Sequence, residues 1–143
     1  MSGFLVKYAL YFAWLTSLVA TGGSLYFSEI RHFVPCQLCW YQRILMYPLV
    51  ILLGMASYRN DRHLASYILP LSTLGSLLAL LHYLEQKVPN FGVDALCQVG
   101  IPCSGQYINL WGFVTIPFLS LVAFSLITTS MVLLSNDSRR ATP

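Results

Sequence analysis

From Tyr8 to Phe27 the chain carries no charged residue, and three more stretches repeat the pattern. Phe33 to Tyr58 is broken only by Arg43, Leu64 to Leu84 holds His82 as its one titratable group apart from tyrosine, and Leu110 to Ser135 is again uncharged. A hydrocarbon core of roughly 30 Å takes about 20 apolar residues of helix, so each stretch is long enough to cross it once. Lipid offers no partner to a backbone N–H or C=O, which leaves helices or a closed barrel. A barrel would alternate in short segments of about ten residues, and no such alternation occurs. The sequence therefore predicts an all-α, polytopic membrane four-helix bundle, a single integral membrane domain over 1–143 with spans at about 8–27, 41–58, 64–84 and 111–134.

Composition narrows the function classes. Only 9% of the residues are charged, against about 25% in soluble domains, too few to cover a water-soluble surface. A soluble enzyme and a disordered chain are excluded on that ground. The net charge of +3 is too small and too scattered for a phosphate-binding stripe, so no nucleic acid partner is expected. The first apolar run is longer than the 7–15 residues of a signal peptide and lacks an A-x-A-like site after it, which predicts an uncleaved helix. Pro48, Pro70 and Pro117 fall inside the other three runs and are expected to kink them.

Four spans put both termini on one side, together with the Arg59–His63 turn. Lys7, Arg59, Arg62, Arg139 and Arg140 lie on that side, against Arg31, Arg43 and Lys87 on the other. The positive-inside rule then predicts cytoplasmic termini in the cell membrane. All four cysteines fall on the extracytoplasmic face, Cys36 and Cys39 in the first outer loop and Cys97 and Cys103 in the second. An even cysteine count on an oxidising face points to disulfides.

The stretch Cys36-Gln37-Leu38-Cys39-Trp40-Tyr41-Gln42-Arg43 carries the chemistry. Pro35 suits a helix start, since its missing N–H would be unpaired there in any case. Positions 36, 39 and 43 then share one helix face, with Cys39 and Arg43 about 6 Å apart along the axis. A helix N-terminus and a guanidinium both favour the thiolate, the reactive form of cysteine. A structural staple is the competing reading, but a loop of two residues gains little from closure. Zinc is disfavoured because the C-x5-C spacing of Cys97 and Cys103 is not a common one, and no metal is expected.

Arg43 precedes fifteen uncharged residues, and an ionisable group at that depth is a functional candidate unless it merely snorkels to the headgroups. A planar cation with several donors suits a carbonyl oxygen that gains charge on reduction. His82 stands three residues before Glu85 near the outer end of the third span. Two readings of it stay open: an interfacial partner of Glu85, or a donor to a ligand shared with the cysteines of the second helix. Cys97 and Cys103 sit in a loop broken by Pro89, Gly92, Gly100, Pro102 and Gly105. Either they clamp that loop, or they offer a disulfide to another protein's thiolate.

On these residues the whole chain resembles the DsbB family of disulfide bond formation proteins, nearest its short Gram-positive BdbC type. The resemblance rests on the four spans, the Cys36-x-x-Cys39-x-x-x-Arg43 signature, the second cysteine pair and the Asn109–Phe118 approach to the last helix. It implies an enzyme, a quinone-dependent protein disulfide oxidoreductase that reoxidises a DsbA-like or BdbD-like thioredoxin-fold partner and so supports disulfide formation in exported proteins. In that family picture Cys97 carries the mixed disulfide, Cys36 and Cys39 receive the electrons, and Cys39 passes them to a membrane quinone held by Arg43. The second reading of His82 would add it as a further cofactor contact. Menaquinone is implied over ubiquinone. The short separation of Cys97 and Cys103 departs from the longer loop of proteobacterial members and weakens the expectation of a transient bond between the two loops. The alternative is a structural or assembly subunit with two loop disulfides. Vitamin K epoxide reductases also use C-x-x-C in a helical bundle, but in the reverse chain order.

Overall fold

A computed structural model of the chain describes residues 2–88, 92 and 94–141. It is all-helical: α1 covers Ser2–Leu25, α2 Gln37–Arg59, α3 Ala65–Lys87 and α4 Ile116–Ala141, with a π turn at Tyr26–Ile30 and a 3-10 turn at Asp94–Leu96. Among the described residues, α2, α3 and α4 are long and apolar enough to cross a membrane. α1 matches them in length and carries no charged residue from Tyr8 to its end at Leu25.

Local chemistry sets the ends of these helices. Cys36 is the N-cap of α2 in an extended conformation, and its carbonyl accepts the first helical bond from Trp40 N–H at 3.1 Å. Asn60 ends α2 in the left-handed region at φ 50°, a conformation asparagine tolerates better than most residues. Asp61 N–H then reaches back to the Ala56 carbonyl at 3.0 Å, which closes the stop.

α4 starts at Ile116, later than the span expected from 111. Trp111 and Gly112 both take positive φ, 52° and 81°, the backbone of a tight reversal rather than of a helix. Leu110 and Val114 exchange two 3.0 Å backbone bonds across it. The late start also puts Pro117 in the first turn of α4, where proline breaks no helical bond. The kink expected there has no cause. Pro48 and Pro70 do lie inside α2 and α3.

The helices pack in a ring, with α1 against α2 and α4, and α3 against α2 and α4. Small residues permit the close approach. Gly75 of α3 sits directly beneath the ring of Phe124 on α4, with no space for a Cβ. Beside it Thr128 Oγ1 meets Ser72 Oγ at 3.1 Å, a polar link of the kind that joins helices in apolar surroundings. At one end of the bundle Arg62 Nη1 pairs with Asp137 Oδ2 at 2.8 Å. At the other, the α1–α2 and α3–α4 connections meet: Tyr107 stacks on Phe33 at 4.7 Å between centroids and its hydroxyl donates to the Val34 carbonyl at 3.1 Å.

Candidate functional site

The site is built where those two connections meet. The extended N-cap points Cys36 under the first turn of α2, and Cys39 follows one turn on, with the two free sulfurs 3.3 Å apart. Gln42 and Arg43 occupy the next turn. From α3, His82 enters the same space, 1% exposed. Its Nε2 lies 3.5 Å from Cys36 Sγ, and its Nδ1 lies 3.1 Å from Gln42 Nε2. The amide N–H donates to Nδ1 in this arrangement, so the ring carries its proton on Nε2, facing the sulfur. At the mouth of α2, these surroundings hold the Cys36 thiol well below its ordinary range. The hydrogen bond shared with Cys39 contributes most to that lowering, and His82 adds to it against the opposing effect of burial.

Cys97 and Cys103 form a disulfide. Cys103 is 2% exposed, whereas Cys97 is only partly buried. Cys36 Sγ, the His82 ring and Cys103 Sγ all lie within 4.8 Å of one another. The two cysteine pairs, assigned from sequence to separate ends of a pathway, share one buried cluster around Leu38. The short C-x5-C loop does not keep them apart, because the α3–α4 connection is tied down on both flanks. Gln86 Nε2 donates to the Gly105 carbonyl and Gln106 Nε2 to the Gln86 carbonyl, both at 3.1 Å, and Tyr107 joins the first connection. Of the loop breakers, Pro89 lies outside the described residues.

Arg43 turns toward α1, where Nη2 donates to the Ser24 carbonyl at 3.0 Å and the guanidinium lies over the Trp40 ring. Arg43 is among the residues that line a cavity of about 550 Å³ between α1, α2 and α4. Its walls are mostly apolar, including Leu15, Val19, Phe27, Met46 and Leu119. Cys39, Gln42 and His82 line it as well.

His82 therefore stands within reach of the Cys36 sulfur. Gln42, Ser24 and Tyr107 were not singled out in the sequence. Gln42 had a readable signal, a neutral amide one turn after Cys39 on an otherwise apolar helix. Ser24 acts through its backbone and Tyr107 through a contact distant in sequence, and neither leaves a local signature.

A family model described as disulfide bond formation protein DsbB matches residues 6–134. The chain is 56% identical over 128 residues to disulfide bond formation protein C of Bacillus subtilis, covering 90% of this chain and 93% of that one. It is 50% identical over 131 residues to probable disulfide formation protein C 1 of Bacillus anthracis, covering 91% and 94%. It is 51% identical over 124 residues to a probable disulfide formation protein of Coxiella burnetii, covering 86% and 84%. No solved structure matches the chain.

Proposed function

We propose that this chain, which belongs to the DsbB family of disulfide bond formation proteins, relays electrons from a thioredoxin-fold dithiol through its two cysteine pairs to a membrane quinone. Membership of the family makes it a multi-pass membrane protein and a disulfide oxidoreductase. The observation that carries the relay is the approach of Cys36, His82 and Cys103 to within 4.8 Å.

The relay begins at the more accessible sulfur. A partner thiolate attacks Cys97, a partner–Cys97 bond forms, the Cys97–Cys103 bond breaks, and Cys103 leaves as the thiolate beside His82. The partner's second thiolate attacks its own bridged sulfur, so the partner leaves as a disulfide and Cys97 returns as a thiol. With Cys36 and Cys39 oxidised at that stage, Cys103 attacks Cys36 and Cys39 is the leaving group. Cys97 then attacks Cys103, which restores the second disulfide and leaves Cys36 and Cys39 reduced. That is the redox arrangement of the four sulfurs in this structure.

The residues fit a quinone as final acceptor. The apolar cavity is of the size that holds a small-molecule headgroup, and Cys39 and Arg43 border it together. A bound quinone supplies a two-electron, two-proton sink. Arg43, tied to the Ser24 carbonyl through Nη2, would hold an acceptor oxygen that gains charge on reduction. His82 Nε2–H stabilises the Cys36 thiolate. We further propose menaquinone as the acceptor and a membrane-tethered BdbD-like or DsbA-like protein as the partner, as the family resemblance implies. The excess of basic residues beside both termini favours the cysteine loops on the extracytoplasmic face of the cell membrane.

The test is purified chain in detergent with a reduced thioredoxin-fold protein and a menaquinone analogue. Oxidation of the partner should consume quinone mole for mole, and Cys39→Ser should abolish it. Structural disulfides usually lie below about −300 mV. If both pairs resist reduction at that level, the chain is a structural subunit and the relay is wrong.

A further inference from the structure

We propose that Cys36, His82 and Cys103 form a site for a thiophilic divalent cation, best fitted to zinc, in the reduced enzyme, and that the bound cation holds the enzyme out of its cycle. The proposal rests on the relay reading in one respect, that the Cys97–Cys103 bond opens during turnover.

The three donors come from the α2 N-cap, the last turns of α3 and the α3–α4 connection, so no spacing in the sequence brings them together. They are 7%, 1% and 2% exposed. Zinc takes sulfur at about 2.3 Å and imidazole nitrogen at about 2.0–2.1 Å, which puts tetrahedral ligand atoms roughly 3.5–3.8 Å apart. Cys36 Sγ and His82 Nε2 are already 3.5 Å apart. Cys103 Sγ, within 4.8 Å of both, needs to move by roughly 1 Å to meet that geometry, and its release from Cys97 frees it to do so. Cys39 Sγ, 3.3 Å from Cys36 Sγ, supplies a nearby fourth donor.

The outer contacts suit this use. Rotation of the Gln42 amide turns its carbonyl to His82 Nδ1, which then donates, and Nε2 offers its lone pair to the metal. With Cys36 and Cys103 as the only thiolate ligands and Cys39 kept as a neutral thiol, the two charges of the cation are neutralised and no net charge is buried. Binding displaces the thiol proton of Cys103, and that of Cys36 only where it is still present, and moves no electrons. Closing either disulfide instead removes an electron pair from sulfurs that the metal is using, so metal and oxidation exclude each other.

The experiment uses tag-free, full-length protein in detergent, reduced with a phosphine and titrated with cobalt(II) and then zinc(II). Reduced wild type should bind one cobalt(II), with a thiolate charge-transfer band and the visible bands of a tetrahedral ion, and zinc should displace it. Disulfide-closed protein should show neither. Cys36→Ser and His82→Ala should each weaken cobalt binding at least about tenfold, with circular dichroism confirming the helical fold. His82→Gln replaces His82→Ala if the latter does not fold. Reduced Cys97→Ser should keep the bands, because Cys103 is then free whether or not the second disulfide opens in turnover. Failure of partner oxidation with these bands intact would sink the relay alone. Absence of the bands from both reduced wild type and reduced Cys97→Ser, or their persistence in Cys36→Ser, would overturn the metal site.

Discussion

Serine at positions 39 and 97 leaves one thiol in each connection, and Cys36 and Cys103 should then bond to each other. Their sulfurs lie within 4.8 Å. One thiol confined to a sphere of that radius about the other is present at roughly 4 M, an effective molarity that needs no diffusion. Against glutathione at about 1 mM, that is an advantage of more than a thousandfold, about 5 kcal/mol at 1.4 kcal/mol per factor of ten. The oxidant is glutathione disulfide, which takes up the two electrons. Purified Cys39→Ser/Cys97→Ser protein is incubated with it, quenched in acid, denatured and treated with a maleimide that adds mass. Nearly all of the protein should carry neither maleimide nor glutathione, and a Cys36–Cys103 peptide should appear by mass spectrometry. Stable glutathione adducts at both sites, or full maleimide labelling after prolonged oxidation, would refute the proximity on which the relay depends.

Arg43→Ala should raise the KM for quinone by roughly one to two powers of ten, the loss of a hydrogen bond to a charged group, with the rate of Cys97 attack by the partner unchanged. Equal quinone kinetics in the variant would remove Arg43 from the acceptor site. In reduced wild type, alkylation of Cys36 should stay fast as pH falls below the ordinary thiol range, because a lowered pKa keeps the thiolate present there. Cys39→Ala removes the largest cause of the lowering, so its alkylation profile should move to higher pH, and His82→Ala should move it in the same direction. An unshifted profile in both variants contradicts the assigned causes. Gly75→Ala pushes a Cβ into the Phe124 ring and should cost about 1–3 kcal/mol as an overpacked core, read as a lower thermal midpoint in detergent, whereas an unchanged midpoint would place these helices differently.

Much of this architecture was legible because charge is so sparse. The blank runs around Lys7, Arg59, Arg62 and Lys87 mark the helices directly, since lipid penalises every exception. The start of α4 was less readable, because the Trp111–Gly112 reversal is apolar in composition and hides inside an uncharged run. Cys39 and Arg43 were legible because helical periodicity places them one turn apart, and Cys36 because it stands just before them at the helix start. The meeting of Cys36, His82 and Cys103 was not, because it depends on how a loop rich in glycine and proline is tied to α3 and Val34. The sequence left two readings of His82 open for the same reason, since its neighbour in space, Cys36, is distant in the chain.

Anaerobic single turnover addresses the relay most directly. Fully reduced protein, with no partner present, is mixed with excess menaquinone analogue and quinol is counted. With four thiols in the chain, wild type should yield two quinols per chain. Cys97→Ser/Cys103→Ser should yield one, and Cys36→Ser/Cys39→Ser should yield none, because the second pair has no route to the acceptor except through the first. Quinol formed at the wild-type level without Cys36 and Cys39 would contradict the account.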